Sequence, residues 1–367
     1  MKTGLVTFHA AHHYGAMLQA YALAVKAAEI GGECELIDYV RPDNLEAGRV
    51  FQRGFSPGVL VKNLHSLTRM GALKRRYNRF EAFLKETMPL SPKRYLTIEE
   101  LRAAPPAYDV YLSGSDQIWN PFIFNEKRFD PAFFCDFPQT GRKISYAPSF
   151  GSAVAEGAVL DELSRYVKGF SHLSAREEHG ASILQRAAGR DVPVVLDPTL
   201  LLEQEEWGGL AGDASVDKPY CLVYFISPPG HLAELTAKVK SRCNIRAVQL
   251  AGARRKMPGV DQIIYDAGPR EFLALFQKAS FVLTNSFHGV AFSVMFQRPF
   301  YCGAGSGEDG AASRTGHLLG TLGLADRLVS EPLSELSEID YSPVRKRLRA
   351  ERGRSLAYLK EALLGGT

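Results

Sequence analysis

The stretch FVLTNSFHG, residues 281–289, decides the predicted fold. A short apolar strand leads into a polar turn, His288 stands where the next helix should begin, and the apolar run 290–296 continues that helix. The start of such a helix attracts anions, because its first amides have no partner within the helix and its dipole is positive there. His288 is therefore a candidate group for proton transfer. The alternative is that the imidazole only caps the helix or packs in a crevice.

Strand-like apolar runs alternate with helical patterns along the rest of the chain. The predicted strands lie near residues 4–8, 34–39, 110–113, 143–146, 172–174, 194–196, 220–226, 247–250 and 281–284. The predicted helices lie near residues 16–30, 58–87, 177–188, 232–240, 270–278 and 343–364. This alternation favours βα units around parallel sheets. We therefore expect an α/β fold of two Rossmann-like domains that face each other across a cleft, with ligands at the carboxyl ends of the strands.

A chain of 367 residues can form two domains of ordinary size. We predict an N-terminal α/β domain at 1–168, a C-terminal α/β domain at 169–340 and a C-terminal helix at 341–367. The predicted N-terminal domain includes a basic helical insertion at about 49–95. The final helix carries a stripe of leucines and is expected to cross back to the first domain.

Composition places the chain among globular proteins. Hydrophobic residues make up 46% and charged residues 23%, which argues against wholesale disorder. No apolar run is as long as a membrane span, and residues 1–9 turn polar too soon for a signal peptide, so we expect a cytoplasmic protein. The five cysteines are widely spaced without a CxxC pair, which favours neither a disulfide framework nor a zinc site.

The positive charge is unevenly distributed along the chain. Residues 49–94 contain eleven Lys or Arg against two Glu, and a second basic run occupies residues 345–354. One interpretation is a solvated helix face. The other is attraction to an anionic substrate, or to the inner membrane face bearing a lipid-linked acceptor. No nucleic-acid recognition motif accompanies the charge, so nucleic acid is not an expected partner.

Three histidines lie in the loop after the first predicted strand. His9, His12 and His13 precede Tyr14 and Gly15, where the first predicted helix begins. Three histidines within five positions are compatible with metal binding, but no acidic residue or cysteine stands at ligand spacing. We expect no metal, and favour contact with a ligand or capping of the first helix.

Two further polar loops follow predicted strands. Residues 113–121 contain Ser115, Asp116 and Gln117, with small neighbours that let a ligand approach the backbone. Asp116 could act as a base or orient hydroxyls, and the alternative is a turn in which it caps a helix. Residues 145–151 are also rich in turn formers, and could equally form a connection without a ligand.

The fourth polar loop places a cation beside a predicted helix start. Ser174 is the predicted N-cap, and Glu177, three residues later, completes a capping box. That leaves Arg176 in the first helical turn, where a cation opposes the dipole. A cation in an unfavourable position suggests that its guanidinium binds an anion.

Taken together, these segments resemble the polysaccharide pyruvyl transferase family. The resemblance extends in order across nearly the whole chain, through residues 14–23 (YGAMLQAYAL), 114–120 (GSDQIWN), 145–151 (SYAPSFG), 174–178 (SAREE), 195–201 (VLDPTLL), 286–289 (SFHG) and 323–327 (GLADR). Each segment is weak alone, and the ordered set is specific.

The resemblance implies a two-domain fold like that of GT-B glycosyltransferases. It also implies transfer of the pyruvyl group of phosphoenolpyruvate onto two hydroxyls of a sugar in a polysaccharide or glycan precursor, which forms a cyclic ketal and releases phosphate. The first domain would be the acceptor side and the second the phosphoenolpyruvate side. In the family, an arginine and a histidine that match Arg176 and His288 hold phosphoenolpyruvate. No cofactor is implied beyond this co-substrate.

The sequence departs from the family pattern at two positions. Some members have an arginine two residues before the histidine, where this chain has Ser286. The missing anion contact is expected to come from Arg314 or Arg298. The family's usual asparagine before the Tyr-Gly pair is His13 here, which puts acceptor recognition in doubt.

The implied chemistry assigns roles to three residues. Arg176 can bind a carboxylate or a phosphate through two parallel hydrogen bonds. His288 can serve as an acid or as the phosphate partner, and Asp116 is the candidate base for the sugar hydroxyl. The predicted substrate-binding residues are Ser286, Gly289, Ser174, Ser115, Gln117, Tyr14, Gly15, His13, Ser149 and Arg314.

Three other functions remain open at this point. The first is a nucleotide-sugar glycosyltransferase on the same fold, and the second is a non-catalytic two-lobed sugar-binding protein. The third is a family member that acts on a different small-molecule acceptor, since fold and donor site do not fix the acceptor.

Overall fold

The computed structural model describes residues 1–43, 67–138, 140–251, 256–303, 313–331, 333 and 335–365. Part of the predicted basic insertion, including Arg49, Arg53 and Lys62, lies outside these described residues.

The chain divides into two compact units. Unit 1 comprises Met1–Leu45, Thr87–Leu202 and Leu348–Thr367, and unit 2 comprises Glu46–Glu86 and Glu203–Arg347. Each unit is built around its own parallel sheet with α-helices, which confirms the predicted α/β class and its two Rossmann-like sheets. The predicted cleft between the domains stays a prediction.

Eleven strands occur in the described residues. In chain order they are β1 (Lys2–Val6), β2 (Glu33–Leu36), β3 (Val110–Ser113), β4 (Arg142–Ser145), β5 (Phe170–His172), β6 (Tyr220–Tyr224), β7 (Arg246–Leu250), β8 (Gln262–Ile264), β9 (Phe281–Thr284), β10 (Phe300–Gly303) and β11 (Leu328–Val329).

The α-helices of the described residues are α1 (Tyr14–Gly31), α2 (Met70–Thr87), α3 (Ile98–Ala103), α4 (Ala158–Val167), α5 (Glu178–Ala188), α6 (Gln204–Leu210), α7 (Leu232–Cys243), α8 (Pro269–Lys278), α9 (Phe287–Met295), α10 (Arg314–Leu322) and α11 (Tyr341–Leu364). Within the same residues, none of the helices combines the length and the apolar character that a membrane crossing requires.

The sheet of unit 1 has the strand order β2-β1-β3-β4-β5, with every pair parallel. The chain moves from β1 outward to β2 and then returns to β3 on the other side of β1. The order therefore reverses between β1 and β3, and ligands of open α/β sheets bind beyond the carboxyl ends of the strands at such a switch point.

The sheet of unit 2 has the order β11-β10-β9-β6-β7-β8, again with every pair parallel. Its first strand, β6, leads outward to β7 and β8, and the chain then returns to β9 on the other side. This is the strand order of a Rossmann fold, and its switch point lies between β6 and β9.

The central strands of both sheets are short, fully buried apolar runs, as parallel strands covered on both faces require. In unit 1 the sequence VYLS of β3 is buried throughout, and in unit 2 so is the FVLT of β9. A cluster of aromatic side chains supports the loop after β3: Trp119 stacks on Phe134 with ring centroids 4.8 Å apart and donates from Nε1 to the Phe133 carbonyl oxygen at 3.0 Å. The loop after β3 therefore rests on a rigid base.

The domain boundary predicted at residue 168 is misplaced. Strand β5 pairs with β4, so the chain up to Leu202 belongs to unit 1. Conversely, α2 belongs to unit 2 although the sequence put it in the first domain. The final helix does return to unit 1 from Leu348 onward, where Arg142 Nη2 donates to the Leu363 carbonyl oxygen at 2.6 Å.

The strand predictions failed where strands pair through only one to three residues. The predicted strand 194–196 is reduced to a single bridge between Val194 and Ala175, because the chain enters the Asp197 turn directly afterwards. Strands β8, β10 and β11 were not predicted: β8 has three residues and β11 two, while β10 was missed although its four residues are buried.

Candidate functional site

His288 lies in the first turn of α9, directly after β9, at the switch point of the second sheet. Ser286 is the N-cap, and its Oγ accepts a hydrogen bond from the backbone N of Gly289 at 3.4 Å. Ser286 N donates to Thr284 Oγ1 at 3.1 Å, which fixes the turn to the end of the strand. His288 is buried, and the first turn of α9 contains no acidic residue. The positive end of the helix is therefore not neutralised from within that turn.

Asn285 ties this turn to the loop that follows the neighbouring strand β6. Its Oδ1 accepts from Ile226 N at 2.8 Å, and its Nδ2 donates to Ser227 O at 3.0 Å and to Pro228 O at 3.2 Å. A further bond joins Nδ2 to Ser227 Oγ at 2.8 Å. These bonds hold the two switch-point loops of the second sheet together. Sequence reasoning gave Asn285 and Ser227 no role, although Asn285 lies in the polar turn directly after a strand.

Gly289 allows α9 to begin close above the end of β9. A Cβ at this position would lie 2.2 Å from Thr284 Oγ1, and that hydroxyl already donates to the Tyr224 carbonyl oxygen at 2.7 Å. The glycine is therefore required for the close approach of helix and strand. Its predicted contact with substrate stays a prediction.

The two arginines considered as replacements for the contact absent at Ser286 lie on different parts of unit 2. Arg314 is the first residue of α10, which packs against α9. Arg298 lies beyond the other end of α9, which is about 13 Å long, and its Nε donates to the Phe296 carbonyl oxygen at 2.7 Å. Arg298 is therefore excluded as a neighbour of His288, and Arg314 remains the candidate.

The switch point of the first sheet joins β1, β3 and α1 through one hydroxyl. Thr7 Oγ1 donates to the Ser115 carbonyl oxygen at 2.8 Å and accepts from Gln19 Nε2 at 3.0 Å. Ser115 Oγ donates to Asp197 Oδ2 at 3.4 Å. Ser115 therefore serves the internal hydrogen-bond network of this edge.

Asp116 adopts a backbone conformation that is almost restricted to glycine, with φ 72° and ψ −176°. Its Oδ1 accepts from Gln117 N at 2.8 Å, and its carbonyl oxygen accepts from Ser149 N at 2.9 Å. A residue held in this region costs about 1–3 kcal/mol, and such strain concentrates at functional sites. The strain supports a functional role for Asp116 beyond that of a turn former.

Arg176 is buried among three carboxylates. Its Nη1 lies 2.9 Å from Asp197 Oδ2 and 3.9 Å from Asp116 Oδ1, and its Nε lies 3.5 Å from Glu177 Oε2. Burial lowers the pKa of the guanidinium, but the charges of Asp197, Glu177 and Asp116 outweigh it and raise the pKa above its ordinary value.

The predicted capping box at the start of α5 is wrong. The N-cap is Glu177, and Arg176 precedes the helix. Ser174 Oγ instead accepts from Ala147 N at 3.1 Å and donates to the Ser145 carbonyl oxygen at 3.2 Å, since it lies at the end of β5 beside β4. The neighbouring carboxylates balance the charge of Arg176. Its position near the helix start therefore gives, by itself, no reason to expect a bound anion.

The histidine loop after β1 is held by internal contacts. His9 is buried, with Nδ1 3.1 Å from the Thr7 carbonyl oxygen and Nε2 3.1 Å from Asp38 Oδ1. His13 caps α1, because its Nδ1 accepts a hydrogen bond from Ala16 N at 3.4 Å. This confirms helix capping, one of the two interpretations favoured for this loop. In the part of the chain that the structure describes, no cluster of His, Cys, Asp or Glu is arranged to hold a metal ion.

The remaining predicted binding residues of unit 1 are partly engaged within the protein. Gln117 Oε1 accepts from Asn120 Nδ2 at 2.9 Å, and Ser149 Oγ donates to Glu177 Oε1 at 2.8 Å. Tyr14 and Gly15 are buried at the start of α1. Their contact with a substrate stays a prediction.

The predicted site residues divide between the two units. Unit 1 holds those of the first four loops: Tyr14, Gly15, His13, Ser115, Asp116, Gln117, Ser149, Ser174 and Arg176. Unit 2 holds Ser286, His288, Gly289 and Arg314. Within each unit they gather at the carboxyl edge of the sheet, as the polar loops after the strands predicted.

Sequence reasoning missed Asp197, the closest partner of Arg176. Its Oδ1 accepts from Thr199 N at 3.0 Å and from Thr199 Oγ1 at 2.7 Å, within the turn Pro198–Leu200. An Asp-Pro-Thr sequence is typical of such a side-chain-capped turn, and this was the available signal.

Comparison with solved structures finds similar chains at low identity. Heptosyltransferase WaaC of E. coli with ADP is 12% identical, with a TM-score of 0.42 over 96% of this chain and 100% of that chain. The glycosyltransferase SnogD of Streptomyces nogalater is 16% identical, with a TM-score of 0.42 over 99% and 97%. UDP-GlcNAc 2-epimerase of Methanocaldococcus jannaschii is 11% identical, with a TM-score of 0.46 over 95% and 99%. Because these identities and TM-scores are low, the fold of this chain is defined by its own two sheets.

Comparison with curated protein sequences gives no significant match. The family model described as "Polysaccharide pyruvyl transferase" matches residues 13–304, well over half of the chain. The matched region contains the Arg176 cluster and the start of α9. The chain therefore belongs to the polysaccharide pyruvyl transferase family, a family of transferases.

Proposed function

We propose that this protein transfers the pyruvyl group of phosphoenolpyruvate onto two hydroxyls of one sugar in a polysaccharide or glycan precursor. The products are a cyclic ketal and inorganic phosphate. Membership of the family supports the reaction class. The observation that carries the proposal is the position of His288 in a helix start at the switch point of the second sheet.

The edge of the second sheet suits an anionic donor. The first turns of α9 and α10 contain no acidic residue, and Arg314 begins α10. Helix N-termini and an arginine attract phosphate and carboxylate groups. In the proposal, Ser286, Gly289 and Arg314 hold the donor beside His288.

The edge of the first sheet suits neutral hydroxyls. Asp116 is the most exposed of the three carboxylates around Arg176, and carboxylate oxygens accept hydrogen bonds from sugar hydroxyls. In the proposal, Asp116 removes a proton from an attacking hydroxyl. The resemblance also implies a donor contact for Arg176, whose guanidinium is held by Asp197 at this edge.

The reaction balances without a further reagent. The methylene carbon of the enol gains a proton, one sugar hydroxyl adds to the adjacent carbon, and phosphate leaves. The second hydroxyl then closes the ketal and loses its proton. His288 acts as the acid or as the partner of the leaving phosphate. Because side chains supply the charges, we propose that no metal is needed, and activity should survive a chelator of divalent cations.

The test is incubation of the protein with phosphoenolpyruvate and a panel of sugar acceptors. The proposal predicts a product heavier by one pyruvate minus one water, with one phosphate released for each product molecule. Thermal stabilisation by a nucleotide sugar, but not by phosphoenolpyruvate, would instead favour a glycosyltransferase. Sugar binding without phosphate release would favour a non-catalytic binding protein, and product only with a non-sugar acceptor would favour a changed acceptor.

We further propose that the protein works in the cytoplasm and contacts an anionic membrane surface through α2 of unit 2. Three neighbouring cations on α2 differ in their surroundings. Arg75 Nε donates to Asp266 Oδ2 at 2.9 Å, and the Arg76 guanidinium lies 4.6 Å from the Phe80 ring centroid. Lys74 is exposed. Lys74 is therefore the cation of the three best placed to meet lipid headgroups.

Exposed apolar residues flank this lysine on the same face of α2. Met70 is 48% exposed and Tyr77 40% exposed, at helical spacing from Lys74. Apolar and aromatic side chains around a cation are typical of helices that lie at a membrane surface. Lys74→Glu should reduce sedimentation with phosphatidylglycerol vesicles, while Lys168→Glu, the same charge change in unit 1, should not. Equal binding by both variants would contradict this contact.

A further inference from the structure

We propose that Phe122 binds the apolar face of a sugar ring of the acceptor, at the same sheet edge as Asp116. This role rests on the proposed function, to which it adds a contact that holds the acceptor. The observations that carry it are the anchoring of the loop after β3, the capped turn that holds Phe122, and the exposure of its ring to solvent.

Phe122 lies in the same loop as Asp116. This loop leaves β3 at Ser113 and returns to the same strand end, because Ser113 Oγ donates to the Phe133 carbonyl oxygen at 2.6 Å. Trp119 Nε1 donates to that oxygen as well, at 3.0 Å. Two points of the loop are therefore tied to the carboxyl end of β3, where ligands of open α/β sheets bind.

A capped turn fixes the backbone of Phe122. The 3₁₀ turn Pro121–Ile123 follows Asn120, whose Oδ1 accepts from Phe122 N at 3.0 Å. Asn120 Nδ2 donates to Gln117 Oε1 at 2.9 Å, so the capping side chain is itself held. The proline at the start of the turn restricts the backbone further, because its ring fixes φ. The turn therefore has little backbone freedom.

Buried aromatic side chains flank this turn. Trp119 precedes it and is fully buried, and Phe124 follows it and stacks on Phe133 with ring centroids 6.1 Å apart. Between these anchors, Phe122 is 52% exposed and Ile123 is 47% exposed. The exposure of this apolar pair is therefore a feature of an anchored loop and does not come from a loose one.

An exposed aromatic ring suits one face of a sugar. The C–H groups on that face pack on the aromatic carbons and remove apolar surface from water, while the hydroxyls at the rim of the sugar stay available to polar groups. Ligand sites combine such apolar contacts with a small number of polar groups. Asp116 precedes Phe122 by six residues in the loop and is the polar group that the proposed function assigns to a sugar hydroxyl.

The size of the apolar pair favours a sugar ring over a protein partner. A stable interface between proteins buries about 800 Å² on each side and involves about 20–30 residues. The exposed large apolar residues of this loop are Phe122 and Ile123. A ligand group of the size of a sugar ring is enough to cover them.

The experiment replaces Phe122 by alanine and by tyrosine. Steady-state assays use the acceptor of the sugar panel on which wild type is most active, and calorimetric titration gives the Kd for phosphoenolpyruvate. Phe122→Ala should raise the acceptor KM about fivefold or more, because the sugar loses its contact with the ring. The donor Kd and kcat should stay close to those of wild type. Phe122→Tyr keeps the ring and should keep the wild-type acceptor KM.

Leu364→Ala is the matched control for the loss of an exposed apolar side chain. Leu364 is 50% exposed and lies at the opposite edge of the same sheet, because Arg142, the first residue of β4, donates from Nη1 to the Gly365 carbonyl oxygen at 2.7 Å. This variant should have the acceptor KM of wild type. An unchanged acceptor KM in Phe122→Ala, or an equal rise in Leu364→Ala, would overturn the role of Phe122.

Glycan-array binding without phosphoenolpyruvate separates this role from the proposed function. Weaker glycan binding by folded Phe122→Ala than by wild type supports the contact, even where wild type forms no ketal and the proposed function fails. Equal glycan binding by the two proteins contradicts the contact alone, as does a changed oligomeric state of Phe122→Ala with an unchanged acceptor KM. A wild type that neither forms a ketal nor binds a glycan contradicts both. Circular dichroism checks the folding of each variant.

Discussion

The two switch points of this chain are alike in topology and differ in the charged groups that surround their predicted site residues. Each lies where a parallel sheet reverses its strand order. At the first, three carboxylates surround Arg176, and at the second, a helix begins at Ser286 without an acidic residue in its first turn. We name the first the anionic edge, for its three carboxylates, and the second the cationic edge, for its helix start.

In the proposed function, this difference helps to separate the two substrates. Two like charges about 4 Å apart repel by about 4 kcal/mol at an effective dielectric constant of ~20. In the proposal, that cost favours the start of α9 over Asp116 as the position of the donor phosphate. A sugar hydroxyl is neutral and carries no such cost. The following predictions test whether the two edges differ in this way.

The largest expected effect is at the cationic edge. His288→Ala should lower turnover about a hundredfold or more, as is typical for the loss of a preorganised contact to developing charge. The measurement is phosphate release at saturating phosphoenolpyruvate. His317→Ala, a histidine within α10, is the matched control and should keep a near-normal rate. A near-normal rate for His288→Ala would remove the imidazole from the mechanism.

The second prediction concerns the packing that holds this edge. Gly289→Ala should destabilise the fold by about 1–3 kcal/mol, because the new methyl would lie 2.2 Å from Thr284 Oγ1. Denaturant unfolding measures the change. Gly320→Ala in α10 is the control: its Cβ would enter open space, so it should stabilise by about 0.5–1 kcal/mol. Equal effects of the two substitutions would contradict the close approach of α9 and β9.

The third prediction concerns strain at the anionic edge. Asp116→Gly and Asp116→Ala both remove the carboxylate, and only glycine accepts φ 72° and ψ −176° without strain. Relief of the backbone strain contributes about 1–3 kcal/mol. This exceeds the entropic cost of glycine, which is about 0.5–1 kcal/mol. The glycine variant should therefore be the more stable by about 1 kcal/mol, with both variants nearly inactive. An alanine variant as stable as the glycine variant would show that Asp116 stores no strain.

The smallest expected effect is a pH dependence of the stability of unit 1. It comes from Asp38, which follows the edge strand β2. Burial raises the pKa of Asp38, but hydrogen bonds from His9 and Arg94 outweigh it and lower the pKa below 3.8. The resulting stabilisation is fully present above pH 3.8 and is lost as the pH falls through the folded-state pKa. The stability difference between wild type and Asp38→Asn should therefore narrow below pH 3.8. A constant difference would contradict this account of Asp38.

The fold was predictable wherever one apolar run stood between turn formers. Strands β3 and β9 were predicted with their observed bounds, since their four buried residues sit between polar loops. Strands β8 and β11 were missed, because two or three residues carry no readable period. Strand β10 was missed although it is as long and as buried as β3 and β9. The boundary at residue 168 failed because β5 pairs with an earlier strand, and pairing is not encoded locally.

The site was predictable as a set of loops, but the contacts within it were not. Parallel strands bring their carboxyl ends to one edge, so the loops containing Asp116 and His288 followed from the pattern. The partners of Arg176 did not, because Asp197 is distant in sequence from the loop of Asp116 and joins it only in the folded sheet. Reading Ser174 as a helix cap failed for the same reason, since its hydroxyl serves the neighbouring strand β4.

The most direct test is calorimetric titration of the protein with phosphoenolpyruvate. The account predicts saturable binding in wild type, retained binding in Asp116→Asn and loss of binding in His288→Ala. The asparagine variant is suitable because Asn has nearly the shape of Asp, lacks its charge and keeps an oxygen that can accept from Gln117 N. Absence of binding in wild type, or binding that survives in His288→Ala but disappears in Asp116→Asn, would contradict the assignment of the donor to the second switch point.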